Sequence, residues 1–104
     1  MLLQHGADIN IADKRGATPL HRAVSKPDLA MVTLLLNNVD IDINRQDVYG
    51  NTALHLACED CALGVAKFLV HKGANCTLLN REGKTAFELT TPDIVRVLKY
   101  LSEE

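Results

Sequence analysis

Cys58-Glu59-Asp60-Cys61 is the string whose residue types and spacing come nearest to chemistry. Two thiols three positions apart, with His55 one helical turn earlier, could ligate zinc or form a reversible thiol pair. A structural zinc site takes four ligands, and no second Cys-x-x-Cys or distal His pair supplies the rest. Cys58 follows Ala57 in an apolar helical run, as a small core residue would, and Cys61 falls in the turn after it. The string therefore reads as core and turn, and no metal or cofactor is expected. His5 and His71 stand close to Gly6 and Gly73 and read as solvated helix ends, where the C-terminal dipole favours His. Ser25 and Ser102 are the only serines, and neither has a nucleophile-elbow context. The chain has no Gly-rich phosphate loop, no His-Glu-x-x-His and no paired-carboxylate signature, so it is not expected to be an enzyme.

The composition narrows the remaining classes. The chain has 104 residues, 47% of them hydrophobic and 23% charged, which suits one modest globular domain and not a disordered one. Aromatics make up 4%, with no Trp, which leaves little material for stacking nucleic-acid bases. Eleven Lys and Arg against thirteen Asp and Glu give a formal charge of −2, with no basic excess for phosphate backbones, so no nucleic acid is expected. The longest uncharged apolar-rich run, Leu29 to Val39, is too short to span a bilayer, so no membrane partner is expected. Met1 is not followed by a basic stretch, an apolar run and a cleavage site, and three cysteines make an odd count. Together these point to a reducing compartment, cytoplasm or nucleus.

The elements that position these residues are repeated. Asp13-Lys14-Arg15-Gly16-Ala17-Thr18-Pro19-Leu20-His21-Arg22-Ala23 aligns with Asp47-Val48-Tyr49-Gly50-Asn51-Thr52-Ala53-Leu54-His55-Leu56-Ala57, and then with Asn80-Arg81-Glu82-Gly83-Lys84-Thr85-Ala86-Phe87. Gly16 to Gly50 is 34 residues and Gly50 to Gly83 is 33. A second block recurs in phase, as Leu2-Leu3-Gln4-His5-Gly6-Ala7-Asp8, Leu35-Leu36-Asn37-Asn38-Val39 and Leu69-Val70-His71-Lys72-Gly73-Ala74-Asn75. The glycines suit turns that need φ > 0. Thr18, Thr52 and Thr85 stand where N-caps stand, and Pro19 takes the first helical position.

The period and the Thr-Pro-Leu-His-x-Ala string resemble the ankyrin repeat across essentially the whole chain. That resemblance implies an all-α solenoid of stacked helix-turn-helix units with β-turn or hairpin tips. It also implies that His21 and His55 bond their threonines and neighbouring backbone. The chain then divides into a partial repeat (1–12), full repeats (13–46 and 47–79) and a shortened capping repeat (80–104). Helices are expected near 18–25, 28–37, 52–59 and 62–71, and the last inter-helix connection is cut to Thr90-Thr91-Pro92-Asp93. Three departures carry expectations. The Asp40-Ile41-Asp42-Ile43 stretch has one residue more than its counterpart and should bulge. Pro27 and Cys61 replace a usual turn glycine, and Val39 replaces the glycine found at 6 and 73, at a cost of up to about 1 kcal/mol each where φ > 0 is needed. No polar repeat caps the N-terminal side, so preceding repeats or a self-contact are expected to cover that edge.

In ankyrin stacks the tips and inner helices form one concave partner-binding face. Mapped residue by residue, that face here comprises Lys14, Arg15, Ser25 and Lys26, then Gln46, Val48, Tyr49, Asn51, Glu59 and Asp60, then Arg81, Glu82 and Lys84. Ala17 and Leu79 fall on it too. Tyr and Arg at such places are the types enriched at interface hot spots. The partner is therefore expected to be another protein. Within the family, the Gly50-to-Cys58 and Ala66-to-Val70 strings are similar to the C-terminal repeats of the gankyrin group, assembly chaperones of the 26S proteasome regulatory particle. That resemblance implies a proteasomal ATPase as the partner, held through complementary charges.

Overall fold

The computed structural model describes residues 9–26 and 28–102. Met1 to Asp8, Pro27, Glu103 and Glu104 lie outside them, and with them the expectations for His5, Gly6 and Pro27. The elements run α1 (Pro19–Ser25), α2 (Leu29–Leu36), α3 (Ala53–Glu59), α4 (Leu63–His71), a 3-10 turn (Ala86–Leu89) and α5 (Pro92–Ser102). No strand occurs among the described residues, and the tips are turns.

The inner helices start where their threonines dictate. Thr18 Oγ1 accepts the His21 amide, and the Thr18 amide donates back to His21 Nδ1 at 3.1 Å. This is a capping box with imidazole in place of the usual Glu or Gln. Thr52 and His55 repeat it, again at 3.1 Å. In the last repeat the Glu88 carboxylate serves instead, accepting the Thr85 amide at 2.9 Å. Each cap contributes about 1 kcal/mol.

Packing then builds two columns. α1, α3 and the 3-10 turn stack in sequence, and α4 packs between α3 and α5. Leu20, Val24, Val32, Leu35, Leu54, Leu69 and Leu98 are all buried in one continuous cluster. Ala53, Ala57 and Ala86 let the inner column approach closely. Burying each leucine or valine stabilises by roughly 1.5–3 kcal/mol. No single repeat encloses this cluster, so the stack folds by adding neighbours.

The tips are built on one acceptor. Asp13 Oδ1 takes the amides of Arg15 and Ala17 at 2.8 and 3.0 Å. Asp47 does the same for Tyr49 and Asn51, and Asn80 for Glu82 and Lys84. Successive tips are stitched together: the Val48 amide donates to Arg15 O at 2.8 Å, and the Arg81 amide to Tyr49 O at 3.0 Å. His21 Nε2 donates to Asn51 O at 2.8 Å, and His55 Nε2 to Lys84 O at 3.0 Å. Because both Nδ1 atoms accept a backbone amide, the Nε2–H tautomer is the one that completes these bonds. The approach is tight at Gly50 (φ +78°), where a Cβ would lie 2.8 Å from Arg81 N.

Two turn expectations come out differently. Cys61 does hold positive φ, at 54°. It closes a Schellman motif, with its amide on Cys58 O at 3.0 Å and the Ala62 amide on Ala57 O at 2.9 Å. Val39 does not hold positive φ; it lies almost wholly exposed. The expected strain is therefore absent there; the chain leaves α2 through Asn37 in an αR conformation. Asn10 clasps that loop, donating to Asp40 O at 2.8 Å and accepting the Asp42 amide at 2.7 Å. The last connection is shorter than expected, since Pro92 and Asp93 already belong to α5 and only Thr90-Thr91 remain outside. The inner element there is one 3-10 turn. The N-terminal side of α1 and α2 bears an open groove of about 560 Å³ lined by Ile11, Pro19, Ala23 and Met31.

Candidate functional site

A groove of about 410 Å³ opens between the first and second tips and runs onto the inner helices. Arg15 and Ala17 come from the first tip, Arg22, Ser25 and Lys26 from α1 and its end, Asp47, Tyr49 and Asn51 from the second tip, and Leu56 from α3. Of the residues expected from sequence, the groove brings together Arg15, Ala17, Ser25, Lys26, Tyr49 and Asn51.

The others lie elsewhere on the tips and helix ends. Lys14, Val48, Arg81, Glu82 and Lys84 are exposed at or beside the tips, and Glu59 and Asp60 are exposed at the end of α3. Gln46 reaches across a junction, donating to Gly50 O at 2.8 Å and Leu79 O at 3.0 Å. Asn51 is half-buried, and its Oδ1 accepts from Asn80 Nδ2 at 3.1 Å. Ser25 Oγ donates back to His21 O at 2.9 Å. All three hold the scaffold, and of them Asn51 and Ser25 also line the groove. Arg22, Asp47 and Leu56 were not expected. Arg22 could have been found: it stands three and four positions before Ser25 and Lys26, and so shares their helix face.

The charges divide into spent and unspent groups. Arg22 Nη2 pairs with Asp13 Oδ2 at 2.6 Å. The Ala17 and Arg15 amides hold the Asp13 carboxyl below the usual carboxylate range, helped by Arg22. Asp47 Oδ1 is taken up by two amides. The side chains of Arg15 and Lys26 make no hydrogen bond or ion pair among the described residues. Tyr49 is 57% exposed, far more than a core aromatic.

The thiols are placed otherwise. Burial pushes the Cys58 thiol up to about 12, with neighbouring Cys76 and Cys61 adding to the rise. That is the reverse of the lowered value that a metal ligand or nucleophile needs. Among the described residues, no group of three or more His, Cys, Asp or Glu side chains is placed to hold a metal ion. No described helix is long and apolar enough to cross a membrane.

Two columns of helices, stitched at their tips and presenting a groove lined by both charged and apolar side chains, define a repeat solenoid of the protein-interaction class. The chain belongs to the ankyrin repeat family: the model for ankyrin repeats in three copies matches residues 1–80. It is 28% identical over 110 residues to an ankyrin repeat protein of Fowlpox virus, covering 77% of this chain and 25% of the viral protein. It is 40% identical over 83 residues to a serine/threonine-protein kinase of Dictyostelium discoideum, covering 75% of this chain and 10% of the kinase. The chain thus spans between a tenth and a quarter of the length of these relatives. Ankyrin repeats are protein-binding modules and are typically non-catalytic.

Proposed function

We propose that this chain acts by binding another protein on its tip-and-inner-helix face, without catalysis. The observation that carries the reading is the set of uncompensated side chains there: Arg15, Lys26 and Tyr49 in the groove, with Glu59 and Asp60 beside it. An exposed aromatic among unpaired charges of both signs offers an anchor and a register to a complementary surface. The finer reading rests on the resemblance to gankyrin: the partner is the C-terminal domain of one proteasomal ATPase, bound during regulatory-particle assembly. The alternative is a scaffold or regulatory module for a different protein. The three free thiols suit a reducing compartment, cytoplasm or nucleus.

Calorimetric titration against the purified C-terminal domains of the proteasomal ATPases tests both levels. Saturable, salt-sensitive binding to one of them, lost on Arg15→Glu or Glu59→Lys, supports the chaperone reading. Absence of binding by a folded, helical chain rejects that partner and leaves the alternative. A partner whose binding survives reversal of every unpaired charge and Tyr49→Ala would reject this face altogether.

A further inference from the structure

We propose that the groove between the first two tips receives a carboxylate-bearing segment of the partner protein, with Arg15 and Lys26 taking the acidic groups and Tyr49 anchoring the segment. The inference rests on the protein-binding reading above and gives its partner a chemistry. The groove is lined by three cations, Arg15, Arg22 and Lys26, and one carboxylate, Asp47. Asp47 spends Oδ1 on the Tyr49 and Asn51 amides, each at 2.9 Å. Asp13, beside the groove, neutralises Arg22 through one nitrogen at 2.6 Å and fixes the guanidinium in place. Arg15 and Lys26 are left uncompensated, and a partner carboxylate can meet them without displacing an internal bond.

The groove volume of about 410 Å³ suits a short stretch of chain rather than a folded domain. Ala17 and Leu56 give the groove an apolar part of its lining along with Tyr49, which suits an aliphatic side chain between the acidic ones. Glu59 and Asp60 end α3 as Ser25 and Lys26 end α1, so they sit one inner-helix spacing along the stack, roughly 8–10 Å. They repel a carboxylate placed there. The acidic track therefore stops at the second repeat, which fixes the register of the segment.

The test is a nitrogen-15 NMR titration of the full chain with three synthetic peptides of equal length. They share the same aliphatic residues and carry Glu, Gln or Lys at the intervening positions. The Glu peptide is expected to move the Arg15, Tyr49 and Asn51 amides saturably, with affinity falling about tenfold or more between low and physiological salt. Tyr49→Ala lowers the affinity about tenfold. Arg15→Glu with Lys26→Glu abolishes binding without altering the thermal melt, because neither side chain holds the fold. Glu59→Lys raises the affinity for this peptide several-fold, the opposite of its expected effect on an ATPase domain. Stronger shifts of these amides with the Gln or Lys peptide, or with a single-stranded oligonucleotide, overturn the inference. So does silence with all three peptides, and in that case the protein-binding reading stands or falls by its own calorimetry.

Discussion

Alanine at Gly16, Gly50 and Gly83 separates two costs that usually arrive together. The three residues share one backbone conformation, with φ of +75°, +78° and +75°. Any L side chain there meets the same penalty, about 1–2 kcal/mol, offset by about 0.4–1 kcal/mol because alanine restricts the unfolded chain. At Gly83 a Cβ meets nothing within 4 Å, so that is the whole effect and the net loss is about 1 kcal/mol. At Gly50 the Cβ falls 2.8 Å from Arg81 N and 2.9 Å from Asn80 Cα, both backbone. Comfortable heavy-atom contact begins near ~3.5 Å, so the second and third tips must separate by roughly 0.7 Å. That stretches the bond from the Arg81 amide to Tyr49 O, now 3.0 Å, and weakens the Asn80–Asn51 contact beside it. Losing most of that bond and loosening the junction adds about 1–3 kcal/mol, for a total of about 2–4 kcal/mol. Gly16 is intermediate, its nearest atom being Val48 N at 3.1 Å. Urea unfolding followed by far-ultraviolet circular dichroism gives the three values directly. The expected order is Gly50, then Gly16, then Gly83, at unchanged m. Equal losses at Gly50 and Gly83 would refute the close-approach argument.

Other outcomes follow from single residues. Cys61→Gly relieves a side chain at φ 54° and should stabilise by about 0.5–1 kcal/mol, seen as a higher urea midpoint. In the native chain a maleimide should label exposed Cys61 readily and Cys58 only under unfolding conditions, as mass mapping of the labelled peptides will report. Because the Cys58 value is raised in the folded state from 9.0 to about 12, its contribution to stability is complete below pH 9.0 and declines as the pH rises toward 12. Urea midpoints across that range, compared with Cys58→Ala, check it. Asp13 has the opposite sign. Its value is lowered below 3.8 when folded, so its contribution is present above pH 3.8 and is lost as the pH falls through the folded value. A carbon-13 titration of its carboxyl should show the lowered midpoint. Asp13→Asn should flatten the acid limb while keeping the turn, since Asn80 Oδ1 already accepts the same pair of amides in the third tip.

What the sequence made legible was local. Thr18, Thr52 and Thr85 cap because an acceptor before an apolar helical run has one sensible place to be, and Asp13 and Asp47 start turns for the same reason. The helix bounds moved by only a residue or so. What stayed hidden depended on a neighbour some thirty residues away. Gln46 and Asn51 look like free tip residues until the next repeat arrives to accept Gln46 Nε2 at Leu79 O and to donate Asn80 Nδ2. Val39 was expected to cost stability only where φ > 0 is needed, and residue type alone did not reveal that its φ is not positive. The groove itself was half visible: Arg15, Lys26 and Tyr49 are tip and helix-end residues by spacing. Arg22 was masked by its place inside the repeat string.

The bonds that join successive repeats have a mechanical side. Each junction holds one donor pointing up the chain, the Val48 or Arg81 amide, and one pointing down, His21 or His55 Nε2. These four lie on the tip and inner-helix side, and on the outer side Lys72 Nζ donates to Asn37 Oδ1 at 3.3 Å and the Asn75 amide to Asn44 Oδ1 at 2.8 Å. On the outer side α2 touches α4 only sparsely, and an open apolar groove lined by Leu29, Thr33 and Phe68 runs between them. The first junction is thus braced mainly at its tips, whereas at the second α4 also packs closely on α5. The tip bonds hold the spacing of Arg15 and Tyr49 at that first junction. A partner seated across the tips therefore meets a surface the fold already holds in register, and little ordering is left for binding to impose on it.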